Sequence, residues 1–445
     1  MKTRKIGMLT LLILPFTLMI GCSGEIKQEA VDTPFNDLKN PPVSIIEPTN
    51  PENKPPGTIN TTVNPEGMPE GTTENQINTE LEVIWPMYDD MNDFSEGLAG
   101  VELNGKWGFI DKTGKEVIPF KYNYVTWDGF SEGLTAVMLN DKWGFINKTG
   151  EEVIPLMYDE YAYNFNEGLV AVNLNGKYGF IDKTGQQFVP HIYDYVWDGF
   201  KEGLAAVKLN EKWGYIDKTG KEVVPPKYDM GEPFSDELAN VMLDGKWGFI
   251  DKTGKEVIPL QYDNVLRFRD GLAAVRSGGK WGFIDTNGHE VVALIYDNVV
   301  SHGMDIERAY SVNEEMAIVR IGDSNDSKNG STVPGKYGFI DKTGTEVVPP
   351  KYEDARPFHE GLAMVKLNGK YGFIDKTGHE AVPLKYDDAQ DFCEGLAGVG
   401  LNGKYGFINK TGGEVIPLIY DFVRPFRDGM AQVRLNGKWG YISHL

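Results

Sequence analysis

The 445-residue chain is short of several things, and each shortage narrows its function. It has two cysteines, so it cannot be a disulfide-rich scaffold or a multi-cysteine zinc protein. Basic residues are outnumbered, 44 Lys and Arg against 65 Asp and Glu, for a formal net charge of -21. Such a surface repels nucleic acid and anionic lipid headgroups, so no nucleic-acid partner is expected. The six histidines are scattered and lack metal-ligand spacing, so no metal and no cofactor is expected. No Ser-His-Asp pattern or phosphate loop stands out, and the chain is read as non-enzymatic. No apolar run reaches the length of a confident membrane span.

One apolar run is nevertheless informative. "IGMLTLLILPFTLMI" follows the basic "MKTRK" and stops at "GCS". This is the layout of a secretory signal peptide over residues 1–21. "LMIGC" resembles a bacterial lipobox, which implies cleavage before Cys22 and lipidation there. A plain signal peptide or an uncleaved anchor is the alternative. Acyl chains contribute ~0.8 kcal/mol per buried CH₂, enough to hold the protein on a membrane outside the cytoplasm. With Cys22 given to lipid, the fold is expected to stand without a disulfide. Residues 22–80 are dense in Pro, Asn, Thr, Glu and Gly. Such a stretch buries too little apolar surface to offset ~1–2 kcal/mol of ordering entropy per residue, so it reads as a tether.

From residue 81 to 445 the chain repeats itself. Trp-Gly or Tyr-Gly begins at Trp107, Trp143, Tyr178, Trp213, Trp247, Trp281, Tyr337, Tyr371, Tyr405 and Trp439, at steps of 34–36 residues with one of 56. A period this regular signals a repeat architecture. The unit reads Y-D-x-V-x-x-F-x-E-G-L-A-x-V-x-L-N-G-K-W-G-F-I-D-K-T-G-K-E-V-I-P. "GLAAVKLN", "KWGFID" and "KEVIP" have strand character and are separated by turn signals. Asn-Gly at Asn104, Asn175, Asn368, Asn402 and Asn436 joins the first two as a hairpin, because a type I′ turn needs φ > 0 at both central residues. A two-residue turn would set Val101 against Gly108 and put Trp107 on the face of Glu102. Each unit is thus read as a three-stranded antiparallel meander followed by a "YDxVxxF" connector, whose Tyr262, Val265 and Phe268 are expected to cover neighbouring units.

The string "DKTGT" at 341–345 resembles the phosphate-accepting segment of P-type ion pumps. Yet "DKTG" recurs at Asp111, Asp182, Asp217, Asp251 and Asp375, and Asn147 and Asn409 stand in the same slot. An Asn cannot take a phosphoryl group as an aspartate does, so the string reads as a turn with Asp at its first position and Gly at its fourth.

These motifs over 81–445 resemble the bacterial WG-repeat family, also called KWG repeats. The resemblance implies an all-β repeat of secreted or envelope-linked proteins and supplies no catalytic residues. The expected fold is an open β-superhelix of ten units, with a closed propeller-like ring as the alternative. The chain enters the array in the third strand and leaves after the second, so the ends could pair; but propellers usually have four to eight four-stranded blades.

Candidate binding residues are few. Trp127, Trp197 and Trp85 could stack on sugar rings or pack between units. The first two share a unit position followed by "DGF". An insertion at about 301–334 carries Asp323, Ser324 and Asp326, whose spacing does not match a calcium loop; a polar loop is the plainer reading. Cys393 fills a slot held elsewhere by Ser131, Ser235 and Arg269. The expected function is a membrane-anchored scaffold for a protein or envelope component, with a wall- or glycan-binding protein as the second reading.

Overall fold

The Asn-Gly turns set the local geometry. The computed structural model describes residues 83–160, 163–299, 312–322, 324–325, 332–333 and 335–443. Asn104 and Gly105 both take positive φ, 53° and 75°. They join β3 (Leu98–Leu103) to β4 (Lys106–Asp111), with Leu103 opposite Lys106 and Val101 opposite Gly108. That is the register expected from a two-residue loop.

A second two-residue turn precedes each hairpin. Glu96 and Gly97 have φ of 50° and 88°, and Ser95 bridges Leu98 across them. This turn folds the connector back along β3. The connector then pairs as β2 (Asp90–Met91), with Asp90 opposite Glu102 and Met91 opposite Val101. The three-stranded unit is corrected on this point: most units are four-stranded, because the connector's main chain finds partners on the inner edge. The unit at residues 169–193 shows three strands among the described residues.

On the other side, β5 (Glu116–Tyr122) pairs with β4 through a bulge. Trp107 opposes Tyr122 and Phe109 opposes Ile118, so four steps on β5 match two on β4. Pro119 sits in the bulge, where its missing N–H interrupts no regular ladder. The bulge presses main chain onto Gly108: a Cβ there would lie 2.7 Å from the Ile118 carbonyl oxygen. The glycine of each Trp-Gly pair serves this close approach.

The array closes on itself. β1 (Val83–Tyr88), the first described strand, pairs antiparallel with the last, Lys438–Ser443, with Ile84 opposite Tyr441 and Tyr88 opposite Trp439. The start of the array thus supplies the outer strand of the tenth unit. The fold is an all-β propeller of ten blades, and the open superhelix expected first gives way to the ring. The physical reason is the seam itself. Between the first two blades, Trp107, Phe109, Ile118 and Tyr122 pack on Val125, Phe130, Val137 and Ile146. Between the last and the first, Trp439, Tyr441, Ile84 and Tyr88 pack in the same way on Met91, Phe94, Val101 and Ile110. Closure makes one more interface of the same kind. Stability in such an array resides in these contacts, at ~1.5–3 kcal/mol for each large apolar side chain fully buried.

Polar links staple both faces of the ring. On the Asn-Gly face, the Asp of each Tyr-Asp pair ties two blades. Asp263 takes Lys246 at 2.7 Å from the blade before and the Gly278 N–H at 2.9 Å from the blade after. Asp229 does the same with Lys212 and the Asp244 N–H. Across the seam, Asp89 takes Lys438 and the Asn104 N–H. On the opposite face, the Lys of "KTG" reaches the Glu-Gly turn of the preceding blade: Lys148 to Glu96 at 2.9 Å, Lys183 to Glu132 at 2.9 Å, Lys410 to Glu360 at 3.1 Å. Lys112 reaches Asp428 across the seam at 3.0 Å.

These links make stability depend on acid. Lysine and main-chain N–H groups hold Asp89, Asp229, Asp263, Asp387 and Asp421 below the ordinary carboxylate value of 3.8. A carboxylate with a lowered folded pKa stabilises fully above its unfolded value and loses that contribution as pH falls through the folded one. The melting temperature should therefore fall steeply below about pH 4, and salt should blunt the change. Asp90, Asp93 and Glu102 near the seam are shifted upward by burial and act in the opposite sense. A melting temperature that is flat from pH 7 to pH 2 would contradict the ladders.

Cys393 is buried in the ninth blade.

Candidate functional site: the inner rim

The "DKTG" segments are turns. Asp341 Oδ1 accepts the Thr343 N–H at 2.8 Å, the Thr343 hydroxyl at 2.6 Å and the Thr345 N–H at 3.0 Å. Asn147 Oδ1 accepts from Thr149 N–H, Thr149 hydroxyl and Glu151 N–H in the same way, and Asn409 repeats it. An oxygen engaged three times in a turn that Asn forms equally well has a structural explanation.

The repeat aromatics are structural too. Trp107, Trp143, Tyr178, Trp213, Trp281, Tyr337 and Trp439 are buried, while Trp247, Tyr371 and Tyr405 are half-buried. Side chains that break the repeat gather elsewhere, on the innermost strand and the segment after it. There the Val-x-x-Phe span varies in length and content. It is Asn92-Asp93 in the first blade, Thr126-Trp127-Asp128-Gly129 in the second, Arg356-Pro357 in the eighth and Arg424-Pro425 in the tenth.

Trp127 and Trp197 both lie on this inner rim, two blades apart. Trp127 is 40% exposed, with the Trp107 ring 6.5 Å away and the Arg424 guanidinium 5.9 Å from its own ring. Trp197, on the inner strand Tyr195–Lys201, is half-buried and stacked on Trp213 at 5.8 Å. Trp85 does not join them. It is 40% exposed on β1, at the outer edge of the tenth blade, in the bulge slot that Pro119 fills in the first. Asp323, Asp326 and Cys22 lie outside the described residues. Ser324–Asn325 pairs with Thr332–Val333 as a small separate hairpin.

The rim also holds residues that sequence reasoning missed. The slot after Tyr-Asp or Tyr-Asn carries Tyr124, Tyr195 and Phe422, where other blades have Asp90, Met230, Asn264 or Asp388. Each bridges repeat aromatics. Tyr124 lies 6.0 Å from Trp107 and 5.8 Å from Trp143; Tyr195 lies 5.8 Å from both Tyr178 and Trp213; Phe422 lies 5.3 Å from Tyr405 and 6.2 Å from Trp439. These contacts form three clusters along one arc of the ring, at the ninth and tenth, the first and second, and the third and fourth blades, and Arg424 lies between Trp439 and Trp127 across the seam.

Carboxylates flank this arc. Asp93 receives Arg427 at 3.1 Å and the Gln432 amide at 2.5 Å, and burial still raises its pKa. Glu160 accepts the Tyr178 hydroxyl at 2.6 Å. The Tyr405 hydroxyl donates to Asp388 at 3.0 Å, and burial together with that carboxylate pushes its pKa up to about 12. Aromatic faces beside carboxylates suit a cation or a ring-shaped polar ligand.

Comparison with known proteins bears on family and little else. No curated protein matches the chain. Among solved structures, BamB from Moraxella catarrhalis is 10% identical, over 82% of this chain and 100% of that one, with a TM-score of 0.34. A eukaryotic initiation factor is 11% identical, over 77% and 88%, with a TM-score of 0.41. The computationally designed Ika8 protein is 14% identical, over 63% and 94%, with a TM-score of 0.34. At these scores none bears on what this chain does. The family of proteins described as WG containing repeat matches in ten consecutive segments, from 77–107 and 107–143 through 281–323 and 337–371 to 405–439. With its glycine, bulge and turns repeated blade after blade, the chain belongs to the WG containing repeat family.

Proposed function

We propose that this propeller is a non-enzymatic scaffold, anchored outside the cytoplasm through lipid on Cys22, that binds a protein or envelope component at its inner rim. One observation carries the binding part: the repeated side chains are spent between blades, while the departures from the repeat gather at the rim around Trp127 and Trp197. A scaffold that departs from its own repeat on one surface has that surface available for selection of a partner. The signal-like segment and "LMIGC" support the anchor.

The test uses the mature chain on an envelope extract. The Trp127→Ala/Trp197→Ala double variant should retain markedly less material than the unaltered protein, whereas Trp85→Ala at the outer edge should retain as much. Equal retention by the double variant would overturn the rim as the binding surface. For the anchor, cells fed labelled palmitate should label the protein but not its Cys22→Ala variant. A second reading, wall-glycan binding, is favoured by the 40% exposure of Trp127; purified wall polysaccharide in the same assay decides it.

A further inference from the structure

We propose that the rim of the third and fourth blades, built by Tyr163, Tyr195, Trp197 and Trp213 beside Glu160 and Tyr178, takes an arginine or lysine side chain from an extended basic segment of a protein partner. This deepens the scaffold reading and rests on it.

The ring supplies its own precedents. The residue opposite the Trp-Gly aromatic, across the hairpin, is basic in five blades, and in three of them it is shown covering that ring. The Lys366 ammonium lies 4.7 Å from the centre of Tyr371, the Arg320 guanidinium 5.4 Å from Tyr337, and the Arg434 guanidinium 5.8 Å from Trp439. Arg424 comes within 4.7 Å of Trp439 as well. These aromatic faces therefore accept cations in this protein.

The fourth blade departs from that pattern. Lys208 stands opposite Trp213 in the same register, but its ammonium is 2.9 Å from Glu211. Glu211 occupies the turn position where most blades have glycine, and it takes φ of 65° to do so. The lysine is thus drawn aside by a residue peculiar to this hairpin. In its stead Trp197 stacks on Trp213 at 5.8 Å with 29° between planes, and Tyr195 meets both rings edge-on. The Tyr163 hydroxyl lies 3.3 Å from that of Tyr195. Tyr195 is 38% exposed, so the cluster opens to solvent. The Trp197 indole N–H is buried with no hydrogen-bond partner among the described residues. The Tyr163 and Tyr195 hydroxyl oxygens can accept from a cation beside the faces, and Glu160 supplies negative charge. A cation over such faces gains from the ring quadrupole, most when it is desolvated. The chain's formal charge of -21 favours approach of a basic segment over an acidic one.

The test is fluorescence anisotropy with the mature chain and a labelled (Gly-Arg)₄ peptide, against its citrulline counterpart, which keeps the shape and loses the charge. The arginine peptide should bind at least tenfold more tightly. Trp197→Ala leaves net charge unchanged and should weaken it about tenfold; Trp197→Phe should restore most of that. Glu211→Gly should weaken it several-fold by releasing Lys208 onto Trp213. Should Trp197→Ala fail to fold, Tyr195→Ala at the exposed edge answers the same question. Equal binding of the citrulline peptide, or no effect of either substitution, overturns the inference. If neutral chitohexaose, but not the basic peptide, displaces the material retained from envelope extracts, the inference falls in favour of a glycan. If the peptide fails while retention from envelope extracts still needs Trp127 and Trp197, this inference falls and the scaffold reading stands.

Discussion

Deleting residues 83–88 should destabilise the whole ring and promote association between copies. β1 is the only strand that the end of the array does not supply to the tenth blade. It buries Ile84 and Tyr88 against Trp439, Tyr441, Met91 and Ile110. Loss of those two side chains alone removes roughly 3–6 kcal/mol of apolar burial, a large part of the margin of a typical domain. It also strips the bulged strand from Gly440 and leaves Lys438–Ser443 as an open edge. An uncovered edge pairs with whatever strand is near, and what another deletion variant offers is the same edge of its own tenth blade. Seam contacts that remain, among them Arg427 with Asp93, Lys438 with Asp89, Lys112 with Asp428 and Tyr441 with the Asn92 carbonyl, hold the first and tenth blades in register but do not replace a strand. The expected result is a melting temperature lower by ten degrees or more and a shift to dimers and larger species in light scattering. Amides of 438–443 should exchange rapidly with solvent. Ile84→Asp, a point change in the same strand, should reproduce the loss of stability without the deletion. An unchanged melting temperature and a monomeric deletion variant would mean that the ring does not depend on its closing strand.

Much of this architecture is legible in the residues, and what is not has identifiable causes. Asn-Gly between apolar runs announces a hairpin because Asn and Gly are the residues that take φ > 0 cheaply, so the Val101–Gly108 register follows. Glu-Gly does not announce one, because a glutamate at φ near 50° is disfavoured on its own. Glu96 holds that conformation while its carboxylate accepts the Gly133 N–H of the next blade at 3.2 Å and the ammonium of Lys148. The compensation lies in a neighbour 37 residues on and is invisible within one unit. The same limit hides the fourth strand: two residues such as Asp90–Met91 carry no periodicity of their own. Closure depends on the turn made per blade, a sum over ten interfaces that no local pattern reports. The aromatic arc was half visible. Tyr124, Tyr195 and Phe422 stand out once the units are aligned, but only the ring brings the ninth blade's Tyr405 and the first blade's Trp107 onto one rim.

A single methyl group on the Trp-Gly glycine should cost more than one on the Asn-Gly or Asp-Gly glycine, although the second is the position with positive φ. Gly245 has φ of 73°, and a Cβ there meets nothing within 4 Å. Gly245→Ala therefore carries only the conformational penalty, ~1–2 kcal/mol. Gly248 has ordinary strand φ, but its Cβ would lie 2.5 Å from the Ile258 carbonyl oxygen and 2.7 Å from the Pro259 carbonyl. Those are main-chain atoms of the bulge, so relief requires the outer strand to move. Ile258 and Tyr262 on that strand pack on Val265 and Phe268 of the next blade, and a shift there loosens the interface as well. The proline is not the cause: the sixth blade has Ala293 in the bulge, yet a Cβ on Gly282 would still come within 2.4 Å of the Val292 oxygen. Overpacking of about 1–3 kcal/mol at Gly248, added to the loosened interface, should exceed the penalty at Gly245. In urea, Gly248→Ala should lower the unfolding midpoint further than Gly245→Ala, and Gly248→Val further still. The reverse order would mean that the bulge yields to a methyl group, and that the glycine recurs in ten blades for some reason other than the approach of the outer strand.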